Sequence, residues 1–186
     1  MKRLFIAIKL TPDDNLLKVY YSLKKAFSQD KIRWVPPENF HLTLKFFGNT
    51  PKEKISTISK VISSTVGSFS PIKVELIKAG IFGSKYKPRV IWFGIKENNQ
   101  LQKLGIDLLN NLHDAGFPKD RQNFVPHFTI GRITKIADKQ LFNIEMRKVT
   151  DVFLQSIVID KVILFESILT SKVPEYNVIG SFPLKP

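Results

Sequence analysis

Two of the chain's three histidines stand in the same short setting, His41-Leu42-Thr43-Leu44 and His127-Phe128-Thr129-Ile130. On a strand, residues two apart share a face. His41 and Thr43 are therefore expected to project together while Leu42 and Leu44 turn into the core. The second segment predicts the same, with Phe128 and Ile130 inward. Each strand then presents an imidazole beside a hydroxyl, and two such pairs around one point suit cleavage of a phosphodiester. Attack by water needs a base to take its proton, and the departing alkoxide needs an acid to supply one. Histidine serves either role, because its ordinary pKa of about 6.5 leaves both forms accessible near neutrality. Threonine hydroxyls donate to the non-bridging oxygens, where charge grows in the transition state. No metal is required by this arrangement and no cofactor is expected. His113 falls near the end of a predicted helix and reads as an ordinary partner of that helix's C-terminal dipole.

The elements that must position these residues follow from apolar spacing. Residues 4–8 form a short apolar run and predict a buried strand. Thr11-Pro12-Asp13-Asp14 reads as a helix start with Thr11 at the N-cap, followed by a stripe of Leu16, Tyr20, Leu23 and Phe27. A second helix is expected from Thr50 and Glu53, which have capping-box spacing, with Ile55, Ile58, Ile62 and Val66 on one face. A third carries Leu101, Leu104, Leu108 and Leu112 and is expected to stop at Gly116, with Pro118 beyond. Strand-like runs occupy residues 72–77, 90–95, 124–133, 152–165 and 176–182.

The interval from His41 to His127 also lays Arg3-Leu4-Phe5-Ile6 on Arg89-Val90-Ile91-Trp92, and the run from Ile72 on the run from Val158. Each half thus reads strand, helix, His-x-Thr-x strand, helix, strand. This pattern predicts one α+β domain over residues 1–186, built from two duplicated and interwoven lobes. The motif strands are expected to be related by a pseudo-twofold axis and to face each other across a cleft.

Composition sets the outer bounds. The chain has 186 residues and a net charge of +13, with a sequence pI near 9.9. That surplus suits a polyanionic partner or a lysine-rich solvated surface, and composition alone does not choose between them. There is no cysteine, which excludes disulfides, thiolate metal sites and cysteine nucleophiles. The start of the chain imitates a signal peptide, but its apolar run is too short, and no segment approaches the ~20 apolar residues of a membrane span. A monomeric protein of the cytoplasm, with no membrane partner, is expected. No phosphate-cradling Gly-x-x-x-x-Gly-Lys-Ser/Thr loop and no dinucleotide fingerprint are present, so a nucleotide-dependent ligase finds no support.

At these residues the sequence resembles the 2H phosphoesterase superfamily, and within it the RNA 2′,3′-cyclic phosphodiesterases, also called 2′-5′ RNA ligases. The likeness is carried by Arg3-Leu4-Phe5-Ile6-Ala7-Ile8, by residues 34–48 around His41, by residues 88–92 and by Pro126-His127-Phe128-Thr129-Ile130-Gly131-Arg132. Residues 165–170, with Tyr176 following, extend it over nearly the whole chain. The resemblance implies a bilobal α+β fold, two antiparallel sheets facing a central cleft with helices outside. It implies metal-independent hydrolysis of a terminal 2′,3′-cyclic phosphate on RNA to a 2′-phosphomonoester, with tRNA or tRNA halves as candidate substrates, and a reversible 2′-5′ ligation by the same chemistry. By the same resemblance His41 and His127 are the acid/base pair, while Thr43, Thr129 and Arg132 hold the phosphate. Phe47 shares strand parity with His41 and is expected either to stack on the terminal base or to lie in the core. The basic stretch 83–89 is expected at the cleft rim or as a solvated loop. Two other functions fit the motifs: an RNA-binding module without turnover, and a phosphodiesterase acting on 2′-5′ oligoadenylates or small cyclic nucleotides.

Overall fold

The computed structural model describes residues 1–84, 86–119, 124–170 and 173–185. In chain order its elements are β1 (Lys2–Lys9), α1 (Asp14–Ala26), β2 (Lys31–Trp34), β3 (His41–Thr50), α2 (Lys54–Val66), β4 (Ile72–Ser84) and β5 (Lys87–Ile95). There follow α3 (Asn99–Asp114), β6 (His127–Lys135), α4 (Lys139–Arg147), β7 (Gln155–Ile159), β8 (Lys161–Ile168) and β9 (Glu175–Pro183). The strands form a curled antiparallel sheet in the order β7-β4-β5-β6-β3-β1-β8-β9, with β2 alongside the later part of β6. Two four-stranded halves, β9-β8-β1-β3 and β6-β5-β4-β7, join at the bridge between Leu42 and Phe128. Each half borrows from the other end of the chain. β4 follows α2 in sequence but pairs with β5 and β7, while β8 returns to lie beside β1.

Strand alternation separates two apolar layers. On β1, Leu4, Ile6 and Ile8 face the main core beneath the helices, whereas Phe5 and Ala7 face the other side with Ile163 and Phe165. The helical stripes complete the main core: Leu16, Tyr20 and Leu23 from α1, Ile58, Ile62 and Val66 from α2, and Leu101, Leu104, Leu108 and Leu112 from α3 are all buried. Truncating one of these leucines to alanine costs about 2–5 kcal/mol, because the transfer free energy is lost and a cavity remains. Phe27 packs against Phe142, tilted by 30° with centroids 4.6 Å apart, and ties the end of α1 to α4.

Several local expectations are corrected. Asp13, not Thr11, caps α1, its carboxylate accepting from the Leu16 amide at 2.9 Å. Thr50 ends β3 and donates its hydroxyl to the Gly48 carbonyl, so it does not cap α2. The run 152–165 is two strands interrupted at Asp160, and residues 124–126 lie before β6 rather than within it. The end of α3 follows expectation, with Gly116 at φ +88°, a left-handed position that favours glycine.

Candidate active site

Both histidines begin their strands, and both rings are tied to the backbone two residues before them. The 3₁₀ turn Pro37–Asn39 and the fully buried Phe40 fix the approach to β3. The His41 Nδ1–H then donates to the Asn39 carbonyl at 2.7 Å. His127 repeats the bond, its Nδ1–H donating to the Val125 carbonyl at 2.7 Å. A carbonyl oxygen only accepts, so each Nδ1 carries the proton and, among the described residues, each Nε2 is left as the unbonded ring nitrogen. The acceptor in each bond is backbone, so no side-chain substitution removes it.

The register at Leu42 and Phe128 places His41 across from Thr129 and Thr43 across from His127. By that register the four side chains form a quadrilateral in which each imidazole has the other motif's hydroxyl as its cross-strand neighbour. Aromatic rings hold the imidazoles in place. His41 lies between Phe5, at 5.1 Å, and Tyr176, at 5.2 Å and nearly perpendicular. His127 meets the edge of Phe82 at 4.7 Å, and Phe82 packs on Trp92 at 5.2 Å. Trp92 lies over Gly80 and Gly94, where a Cβ would come within 2.3 Å and 2.7 Å of the indole.

Three slips in strand register decide what else reaches this face. On β3 the pairing slips between Thr43 and Lys45 and again before Gly48, and on β6 it slips between Thr129 and Gly131. A bulge inserts one unpaired residue and reverses the alternation beyond it. The first six residues of both strands consequently share one burial sequence, with Phe46 and Arg132 exposed at equivalent places. Phe46 packs beside Phe5 at 6.3 Å, on the side that carries His41. Phe47, expected from simple parity to share the face of His41, instead packs against Phe117 at 5.2 Å and the main core. That parity is corrected because the bulge after Thr43 intervenes.

Electrostatics agree with one shared site. Burial pushes the His41 imidazole below its ordinary pKa of 6.5; the bond to the Asn39 carbonyl opposes this, and the charges of Arg132 and His127 add to it. Burial likewise lowers His127, opposed by the Val125 carbonyl and reinforced by Arg132. Burial raises the Tyr176 phenol, while Arg132 and Arg3 pull it down. The guanidinium of Arg132 therefore acts on both histidines and on Tyr176. His113 stands apart in the last turn of α3, its ring nitrogen 3.4 Å from the Phe117 carbonyl. The stretch 83–89 is the tip of the β4–β5 hairpin, where Tyr86 is exposed; Lys85 lies outside the described residues. Among the described residues no group of three His, Asp or Glu side chains could hold a metal ion, and no helix is long and apolar enough to cross a membrane.

A fold with two histidine strands meeting at its centre defines a class, and comparison with known proteins names it. Residues 8–92 match the family model described as LigT-like phosphoesterase. An RNA 2′,3′-cyclic phosphodiesterase of Methanocaldococcus jannaschii is 34% identical over 95% of this chain and 98% of its own length. The protein of the same name from Geobacillus stearothermophilus is 30% identical over 97% of this chain, which spans 56% of that longer relative. The crystal structure of TT0787 from Thermus thermophilus superposes with a TM-score of 0.80, at 24% identity and covering 98% of this chain and 97% of that one. The chain belongs to the LigT-like phosphoesterase family.

Proposed function

We propose that this protein hydrolyses the 2′,3′-cyclic phosphate at the end of an RNA to a 2′-phosphomonoester. The observation that carries this is the pair of imidazoles with Nδ1 tied to a backbone carbonyl, each opposite the other motif's threonine. The neutral histidine takes a proton from water at Nε2 as the water oxygen attacks phosphorus. The protonated histidine gives its Nε2 proton to the 3′-oxygen as the bond from phosphorus to that oxygen breaks. The products are a 3′-hydroxyl and a 2′-phosphate, and the two histidines have exchanged protonation states. Thr43, Thr129 and Arg132 carry the charge that builds on the non-bridging oxygens. With an RNA 5′-hydroxyl in place of water, the same steps join two ends through a 2′-5′ linkage; in reverse the 3′-hydroxyl attacks phosphorus and the 5′-oxygen leaves with a proton, restoring the cyclic phosphate. The names of the relatives and the net charge of +13 support an RNA substrate.

The test is turnover of a short RNA ending in a 2′,3′-cyclic phosphate, with EDTA present, by wild type, His41→Ala and His127→Ala. A 2′-phosphate end formed by wild type, with losses of orders of magnitude in both variants, is expected. Binding without turnover would sink the enzymatic reading, and activity abolished by EDTA would sink the metal-independent mechanism.

A further inference from the structure

Arg3 belongs to the face of the candidate site, yet the hydrolysis just described gives it no task. On β1 it alternates with Phe5 and Ala7, which places it on the side of His41 rather than under the helices. Its guanidinium lies over the Phe46 ring at 4.8 Å from the centroid. Its sequence neighbour Lys2 is neutralised by Glu166 at 2.5 Å, whereas among the described residues no carboxylate pairs with Arg3. An unpaired guanidinium stacked on an aromatic face is held in orientation while its N–H edges stay available, an arrangement suited to bidentate binding of phosphate.

Its position differs from that of Arg132. The strands β3 and β6 are antiparallel and cross at Leu42 and Phe128, so equivalent positions beyond each motif lie toward opposite ends of the quadrilateral. Arg132 occupies one end, and Phe46, carrying Arg3, the other. Arg132 perturbs both histidines and Tyr176, while Arg3 perturbs Tyr176, the ring beside His41, and neither histidine. Arg3 thus stands one ring removed from the reacting centre, and its ligand is a second anion rather than the one being cleaved.

We propose that Arg3, presented on Phe46, binds the internucleotide phosphate that precedes the cyclic end and so selects an RNA terminus over a free cyclic mononucleotide. This rests on the hydrolytic reading above. The substrate class it defines is a strand of at least two nucleotides, with one charge at the quadrilateral and one at Arg3. Because Phe46 pre-orients the guanidinium, removing the ring weakens the same contact without removing the charge.

The experiment compares kcat/KM for a dinucleotide ending in a 2′,3′-cyclic phosphate, the same dinucleotide with an uncharged methylphosphonate linkage, and the cyclic mononucleotide. Wild type is expected to prefer the charged dinucleotide. Arg3→Gln is expected to cost that substrate about tenfold more than it costs the other two, mainly through KM, as for loss of a charge-assisted hydrogen bond. The slope of log kcat/KM against log salt should become shallower for the charged dinucleotide. Phe46→Leu should produce a smaller loss in the same substrate order. Equal losses on all three substrates, or none, would overturn the assignment. A wild type that turns over none of them would bring down the hydrolytic reading and this inference with it. A wild type active on all three without preference would bring down this inference alone.

Discussion

Gly80→Ala tests whether the aromatic wall behind His127 sets its position. Gly80 and Trp92 are directly paired across β4 and β5, and an added Cβ would stand 2.3, 2.5 and 2.8 Å from three indole carbons. Ordinary contact lies near 3.5–4.0 Å between carbons, so the ring must retreat by about 1.2 Å or more. Beyond it are Phe82, 5.2 Å from Trp92, and His127, whose ring Phe82 meets at 4.7 Å. Overpacking of this kind costs about 1–3 kcal/mol of stability. A shift of about 1 Å passed to a reacting group costs on the order of 10²-fold in rate. The assay pairs kcat/KM on the cyclic-phosphate RNA with emission of Trp92 in a Trp34→Phe background, where it is the remaining tryptophan of the two. Both are expected to change, and the double variant Gly80→Ala/Trp92→Phe, whose smaller ring leaves room, should recover much of the rate. Unchanged emission and full activity in Gly80→Ala would refute the coupling. A lowered melting temperature with full activity would make the wall structural only.

Other outcomes follow from the same geometry. The base must be neutral, so kcat/KM rises through its pKa; the acid must be protonated, so the rate falls through its pKa. Both imidazoles lie below 6.5, which puts the optimum for the free enzyme on the acid side of that value. Arg132→Gln removes a cation that disfavours both imidazoliums, so both limbs should move to higher pH; a pH–rate series showing no movement, or the opposite one, rejects the shared site. Thr43→Val and Thr129→Val occupy matching corners of the quadrilateral and should each lower kcat by about 10- to 10³-fold; stopped assays showing a loss at one and none at the other would break the equivalence. Tyr20→Phe deletes the hydroxyl that donates to the Val35 carbonyl at 2.9 Å, in a site whose burial raises the phenol pKa to about 12. A loss of about 1 kcal/mol in denaturant unfolding is expected, and an unchanged midpoint would remove that bond from the account.

The placing of the four motif residues was legible because it obeys the simplest rule of strands: His41 and Thr43, like His127 and Thr129, differ by two and share a face. Parity misled at Phe47, where that rule fails. A bulge leaves no mark in the residue types 42–47, so parity put Phe47 on the face of His41, where Phe46 lies, and of the two places expected for Phe47 the structure takes the core; Arg132 comes onto the histidine face across a bulge that parity alone would have denied it. Helix faces were plain from their leucines and isoleucines, but the caps depended on which of several polar residues turned its side chain inward, and Asp13 did so rather than Thr11. β2 was missed because Lys31-Ile32-Arg33-Trp34 is short and half charged, and it is a strand through its pairing with β6 rather than through its own pattern. Nor does local sequence reveal that β4 lies with β5 and β7.

That exchange of strands has a bearing on how the chain is made. β1 can pair with β3 early, but its other edge waits for β8, and Lys2 meets its partner Glu166 at a sequence separation of 164. At about 5–20 residues per second of synthesis, the apolar edge of Leu4 to Ala7 stays open for roughly ten to thirty seconds. Such non-local pairing slows folding and leaves a sticky template in the interval. A nascent chain halted before β7 is therefore a client for chaperones rather than half an enzyme, and sedimentation of a fragment comprising residues 1–150 should find it in the pellet. Strands made far later in the chain close the sheet on which the first histidine depends.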